Sequence, residues 1–204
     1  METGARKPNA RGRGDQLRAQ IVTAATEMLA ELGDDQALSL RAVAREVHIA
    51  ATSVYLHFPD RDALVLAVME RFNRLMVDAG ERGEAAVEGS AAKLRGWIRG
   101  LVDYALAHQG LYKVMHESHV NRGVGMPFKK AIGVRTTAAV QRCLDDGSAP
   151  AGDAAAIAAD LRAAVTGMLT LRINEPDLPW PPVDGQIDRF LTKLVGLSVP
   201  AVGR

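Results

Sequence analysis

Apolar residues recur every three or four positions along most of this chain, and nowhere do they alternate one by one, so the chain can build helices and little else. Aromatic residues are only 4% of the 204, and runs mixing Val, Ile, Thr and Tyr are missing, which argues against a large sheet. The expected fold class is all-α, with about nine helices and no strand. With 48% apolar residues, 24% charged residues and a net charge of +1, the chain has an ordinary globular balance. A single cysteine, Cys143, excludes an internal disulfide framework and a multi-cysteine metal site. No unbroken run of 18 apolar residues occurs, so no membrane partner is expected, and the basic N-terminus lacks the apolar stretch of a secretory leader. A cytoplasmic setting follows as the expectation.

Gly and Pro punctuate the helical spacing. Residues 1–14 are polar and rich in Gly and Arg, and read as a mobile basic tail; within Met1–Arg18, Arg6, Lys7, Arg11, Arg13 and Arg18 outweigh Glu2 and Asp15, a balance suited to lying along phosphates. A first helix carries Leu17, Ile21, Met28, Leu29 and Leu32 and stops at Gly33. Ser39 is placed to cap a second, short helix that buries Leu40, Val43, Ala44 and Val47. After a break at His48-Ile49, a third helix is predicted from Ala51 to His57, burying Val54 and Phe58 and ended by Pro59. Asp60 caps a fourth with Leu64, Val65, Val68, Phe72, Leu75 and Met76 inward. The Gly-containing stretch from Gly80 to Ser90 reads as a loop. Further helices carry Leu94 to Ala105, Leu111 to His119, Phe128 to Leu144, Ile157 to Leu169 and Ile187 to Val195, with breaks at Gly110, at Asn121–Met126, at Asp146-Gly147 and in the proline-rich Asn174–Pro182.

The third helix, about two turns long, is too short to persist alone and must be held by Leu40, Val43 and Val47 behind it and Leu64 ahead. Two short helices joined by a tight turn and braced on both sides form a helix-turn-helix. The outer face of the second carries Thr52, Ser53, Tyr55 and His57, donors and acceptors of a size to meet base edges or phosphates in a major groove.

From Gln16 to Phe72 the sequence resembles the tetracycline-repressor (TetR) family. The resemblance is carried by Ser39-Leu40-Arg41-Ala42-Val43-Ala44-Arg45-Glu46-Val47 and by Thr52-Ser53-Val54-Tyr55-Leu56-His57-Phe58-Pro59-Asp60-Arg61-Asp62-Ala63-Leu64. One position departs from the pattern: His48 stands where the turn often has glycine, and histidine tolerates left-handed angles better than most residues. The stretch Tyr104-Ala105-Leu106-Ala107-His108-Gln109-Gly110-Leu111-Tyr112-Lys113-Val114-Met115 is similar to a subtype of the family's regulatory half, and Thr166-Gly167 falls where that subtype often has His-Gly. The resemblance implies a mobile tail over 1–14, a DNA-binding head over 15–60 and a helical ligand-binding and dimerisation bundle over 61–204. It places Ser39, Arg41, Ala51, Thr52, Ser53, Tyr55, His57 and Arg61 against DNA, with Arg61 where the family often has lysine. It also implies a homodimer, double-stranded operator DNA and a small-molecule effector as partners, no cofactor, and repression relieved by the effector; the fourth helix, from Asp60 to Ala79, links both halves and by its position is the expected lever. Trp97, Leu101, Tyr104, Tyr112, Met115, His116, His119, Phe128, Arg135 and Met168 are the candidate pocket residues; three of the five histidines, His108, His116 and His119, cluster there. Dimer contacts are expected on the last two helices through Ala154, Ile157, Ala158, Leu161, Val165, Leu169, Phe190, Leu191 and Leu194, and such a dimer sets two reading helices about 34–36 Å apart, one turn of DNA.

His116-x-x-His119 lacks a third ligand, so no metal is expected. Met1–Phe72 holds nine basic and ten acidic residues, so DNA binding must come from local placement of charge. Two other classes remain at this level. A helical enzyme would need a nucleophile, a base or a phosphate-cradling loop, and Arg11-Gly12-Arg13-Gly14 follows no strand. A DNA-binding protein without a ligand would lack only the cavity.

Overall fold

The computed structural model of the protein describes residues 10–122 and 127–198. Among these there are nine α-helices and no strand: α1 (Ala10–Leu32), α2 (Leu40–Glu46), α3 (Ala51–Tyr55), α4 (Arg61–Ala85), α5 (Ser90–Ala107), α6 (Gln109–Glu117), α7 (Pro127–Asp145), α8 (Ala154–Asn174) and α9 (Val183–Phe190). Short 3-10 turns follow α1 (Asp35–Ala37) and α6 (His119–Arg122), and α9 runs on as a π turn (Leu191–Val195). The expected tail is helical from Ala10, because extending a helix already nucleated by the Leu17–Leu32 stripe is cheap; residues 1–9 lie outside the described part.

The caps divide. Asp60 takes the Ala63 amide at 2.8 Å, and Asp153 takes the amides of Ala155 and Ala156 at 2.9 and 3.2 Å. Ser39 holds the cap position of α2, but its hydroxyl makes no capping bond, contrary to expectation. The turn after α2 closes with Ile49 donating its amide to Ala44 O (2.9 Å) and His48 to Arg45 O (3.1 Å), the double bond of a Schellman motif. That motif needs a left-handed residue, and His48 supplies it at φ 57°. His48→Gly should remove about 1 kcal/mol of strain and raise Tm by about 2–4 °C; calorimetric melting of the two proteins tests it.

Glycines at 80 and 83 do not open a loop. They lie inside α4, where it crosses α5 antiparallel at backbone contact: a β-carbon on Gly83 would fall 2.2 Å from Gly96 O, and one on Gly100 2.2 Å from Ala79 O. Likewise the break between α5 and α6 is at His108 (φ −131°, ψ 51°), not Gly110. Gly110 sits within α6 and lets it touch α1, since a β-carbon there would meet Ala30 O at 2.1 Å. One continuous core runs from Ile21 to Leu197, with Phe58 and Val54 under the helix-turn-helix and Trp97 wholly buried at the α4–α5 crossing.

Candidate functional site

The head is assembled as its stripes require. Val54 (0% exposed) and Phe58 (2%) anchor α3 from below, and the Arg18 guanidinium lies 4.8 Å from the Phe58 ring centre. α3 ends at Tyr55, two residues earlier than predicted, and its last turn runs on loosely through bonds from His57 and Phe58 to Val54 O. The outer side presents Thr52 and Tyr55 exposed, with Ala51, Ser53 and His57 half-buried. Ser39 and Arg41 are exposed beside them on α2. Arg61, at the start of α4, makes only long contacts, 3.4 Å to Gln36 O and 3.4 Å to Asp62 Oδ1. Sequence reasoning passed over Leu56, the most exposed large apolar side chain among the described residues at 85%, set between Tyr55 and His57. Its signal was available: a leucine two positions from both Val54 and Phe58 faces away from their stripe and has no core to enter.

A second feature lies in the regulatory half. A cavity of about 310 Å³ is lined by Asn73 and Met76 of α4, Ile98 and Leu101 of α5, Tyr112, Met115 and His116 of α6, Ile132 and Thr136 of α7, and Arg162, Val165, Thr166 and Leu169 of α8. Of the expected pocket residues, Leu101, Tyr112, Met115 and His116 are brought together here. The others are placed elsewhere. Trp97 is buried in the crossing and donates Nε1–H to Thr136 Oγ1 at 3.0 Å. Tyr104 stacks between His108 (4.2 Å) and Phe72 (5.5 Å). Met168 is core, and Phe128 packs half-buried against the core while its carbonyl accepts from Asn73 Nδ2 at 2.9 Å. Arg135 lies 5.5 Å from the Trp97 ring centre and pairs with Glu81 and Glu84 at 3.2 and 3.3 Å. His119 leaves the regulatory half altogether: it meets Gln36 Nε2 at 2.8 Å and Asp62 Oδ2 at 3.1 Å, both in the head or at its edge. The lining residues that sequence reasoning missed share one signal, a polar side chain within an apolar stripe on the same helical face: Arg162 with Val165, Thr166 and Leu169, Thr136 with Ile132, Asn73 with Met76.

Two of the three histidines are held alike, and His119 stands apart. His108 Nδ1 is 2.8 Å from Tyr104 O and His116 Nδ1 is 3.0 Å from Tyr112 O, each imidazole stacked on the tyrosine one turn before it. Among the described residues no group of three or more His, Cys, Asp or Glu is arranged to hold a metal ion. Cys143 is buried, and burial pushes its thiol up to about 11, away from the reactive thiolate.

One charge cluster ties α5 to α9. Arg95 of α5 reaches Asp188 (2.6 Å) and Asp184 (3.2 Å) of α9, and Arg99 joins Asp184 and, at 2.7 Å, Asp103. The Arg99 hydrogen bond, ahead of the other charges, holds the Asp184 carboxyl below its usual range. α8 faces two ways. Ala154, Ala158, Leu161, Val165 and Leu169, with Leu191 of the π turn, are buried inside this single chain rather than left for a partner, because α7 and α9 cover them. The exposed side of α8 is a different stripe, Ala155, Ala159, Ala163, Gly167 and Leu171. Among the described residues α8 is the one helix long and apolar enough to cross a membrane, and a third of its apolar window is core.

Comparison with known proteins agrees with this division. Residues 21–68 match the model for bacterial regulatory proteins of the tetR family, and residues 94–196 match the tetracyclin repressor-like C-terminal domain. No curated protein matches the chain. Among solved structures, a protein of unknown function from Rhodococcus sp. RHA1 is 28% identical, superposes with a TM-score of 0.75, and covers 97% of this chain and 100% of its own. The TetR family regulator PfmR from Thermus thermophilus is 17% identical, with a TM-score of 0.64 over 88% of this chain and 99% of its own. SmeT, the repressor of a Stenotrophomonas maltophilia multidrug efflux pump, solved as a complex with triclosan, is 22% identical with a TM-score of 0.67 over 86% of this chain and 90% of its own. The chain belongs to the tetracycline-repressor family of ligand-responsive, DNA-binding transcriptional regulators.

Proposed function

We propose that the protein is a homodimeric repressor whose heads leave their operator when a small molecule fills the cavity. The observation that carries this reading is the path of α6. Its residues Tyr112, Met115 and His116 line the cavity, its Gly110 rests on the α1 backbone, and the turn that follows it holds His119 against Gln36 and Asp62. α4 forms a second path, from Arg61 at the head to Asn73 and Met76 at the cavity. An effector that prefers one setting of α6 biases the placement of the heads by its difference in affinity for the two settings. The head corresponds to residues 15–60 and the regulatory body to 61–204.

Thr52, Ser53 and Tyr55 are the readers in this scheme, with Ala51 close to the groove and Leu56 in apolar contact with thymine methyl groups or sugars. Ser39, Arg41, His57 and Arg61 meet the backbone. The small-residue stripe Ala155–Leu171 on α8, flanked by α9, is the partner face, and its short side chains allow two helices to approach closely. A footprint on the DNA upstream of the protein's own gene, lost on adding effector, is the direct test; a purified protein that protects no sequence there overturns the reading. Arg61→Gln should weaken binding to any duplex by about tenfold and lower the slope of log affinity against log salt by about one, whereas Thr52→Ala should change which sequences are preferred. The near-neutral charge of the head puts the wild-type slope well short of about −10. Anisotropy titrations from low to high salt measure all three.

A further inference from the structure

The cavity wall divides sharply by charge. Met76, Ile98, Leu101, Met115, Ile132, Val165 and Leu169 make it apolar, and among the described residues no carboxylate lines it. The polar groups inside are largely engaged by the protein: Thr136 accepts from Trp97 and donates to Ile132 O at 2.8 Å, Asn73 donates to Phe128 O, and the Tyr112 hydroxyl bonds to Thr166 and Thr170. The one permanent charge is Arg162. It and His116 are the exposed members of the lining and so mark the mouth. Around it, arginines of the same bundle are committed to carboxylates: Arg95 and Arg99 to Asp184, Arg135 and Arg142 to Glu84. Arg162 has no ion-pair or hydrogen-bond partner among the described residues. Its guanidinium lies across α7 at Gly133, where even a β-carbon would stand only 3.2 Å from Nη1. A planar fork of donors at the rim of an apolar chamber suits one flat anion, most of all a carboxylate, which it can bind through two parallel hydrogen bonds. A cationic guest would meet Arg162 with no negative group to offset it. The volume of about 310 Å³ lies at the small end of ligand pockets.

On the reading of the cavity as the effector site, we propose that the effector class is a small amphipathic monoanion, an apolar body carrying a single carboxylate that Arg162 grips at the mouth. The body packs on Met76, Ile98, Leu101 and Leu169, and the carboxylate replaces water on the guanidinium.

The test is calorimetric titration of the full-length protein with octanoate and 3-phenylpropanoate, against octanamide, 3-phenylpropanamide and octylammonium as probes of the same body with a neutral or positive head. The acids should bind at least tenfold more tightly than their amides, and octylammonium should not bind. Arg162→Gln should bring the acids down to the level of the amides without moving amide affinity, and Arg162→Lys should keep part of the preference. Sedimentation should show both variants assembled as the wild type is. Equal or tighter binding of the amides, an acid preference that survives Arg162→Gln, no binding of either acid, or a dimer lost in both variants each overturns the proposal, the last by assigning Arg162 to the subunit contact. Operator release separates this failure from that of the wider reading: if the amides or an uncharged apolar compound release the operator and the acids do not, the monoanion is wrong and the ligand-responsive repressor stands. If no probe of any charge binds the cavity or moves the operator, both fall.

Discussion

Gly96→Val should lower Tm by about 6–12 °C, which corresponds to about 3 kcal/mol for a chain of this size. At this crossing α4 and α5 meet backbone to backbone. A β-carbon on Gly96 would lie 2.2 Å from Gly83 O and 2.7 Å from Gly83 C, so no flexible side chain can move aside to relieve the overlap. The helices must part, and the parting would loosen their shared contacts on the fully buried Trp97. Gly14→Ala is the matched control: a β-carbon there has nothing within 4 Å, so the gain in helix propensity should show as a rise equivalent to about 0.5–1 kcal/mol. A Gly96→Val protein that melts with the wild type would mean the crossing has slack that this geometry does not contain. The damage should extend to the cavity, since Met76 on α4 and Ile98 and Leu101 on α5 line it from both sides of the crossing.

That crossing also marks where the sequence ceased to be readable. Gly33 and Gly147 stop helices at φ 63° and 75°, a role visible in their position just after an apolar stripe. Gly80 and Gly83 look the same in the sequence, yet they sit inside α4, because what they serve is a neighbour on α5. Periodicity reports which face of a helix is buried and not what covers it. It therefore located α8 without showing what covers each face: the strongest apolar positions, Leu161, Val165 and Leu169, went to the core, and the exposed face was left to alanines whose spacing carries almost no hydrophobic signal. The head was legible in far greater detail, since its stripes are short, local and fixed by caps and turns within a few residues of one another. The ligand half was legible mainly as aromatic and histidine content. The spacing of four between Tyr104 and His108, and between Tyr112 and His116, already specified two stacked pairs on one helical face; which of them opened onto a cavity depended on the break at His108. Nothing local marked His119 as a tie to Gln36 and Asp62, each more than fifty residues away.

Raising the pH should expose the burial of Tyr112 as a loss of about 2–3 kcal/mol between pH 10 and 12. Burial pushes this phenol from its ordinary 10 up to about 12, and the hydrogen bonds to Thr170 and Thr166, which act the other way, do not overcome it. Below pH 10 the phenol is protonated whether the chain is folded or not, so its contribution is complete and constant. Between 10 and 12 the unfolded chain releases the proton and the folded one holds it, and stability falls until the folded group also ionises. Cys143, pushed up by burial to about 11, adds a loss of the same sign that begins lower, from about pH 9. Comparison with Tyr112→Phe isolates the tyrosine. At pH 8 the variant should be less stable by about 1 kcal/mol, since the hydroxyl bonds are gone and two threonines lose a partner. As pH rises through 11 that deficit should close and then reverse, because phenylalanine has no proton to release. Denaturant midpoints at half-unit steps of pH measure both curves, and absorbance at 295 nm on the folded protein should show Tyr112 ionising near 12. Parallel curves would mean that the phenol reaches water in the folded state, and with it that α6 does not close this side of the cavity.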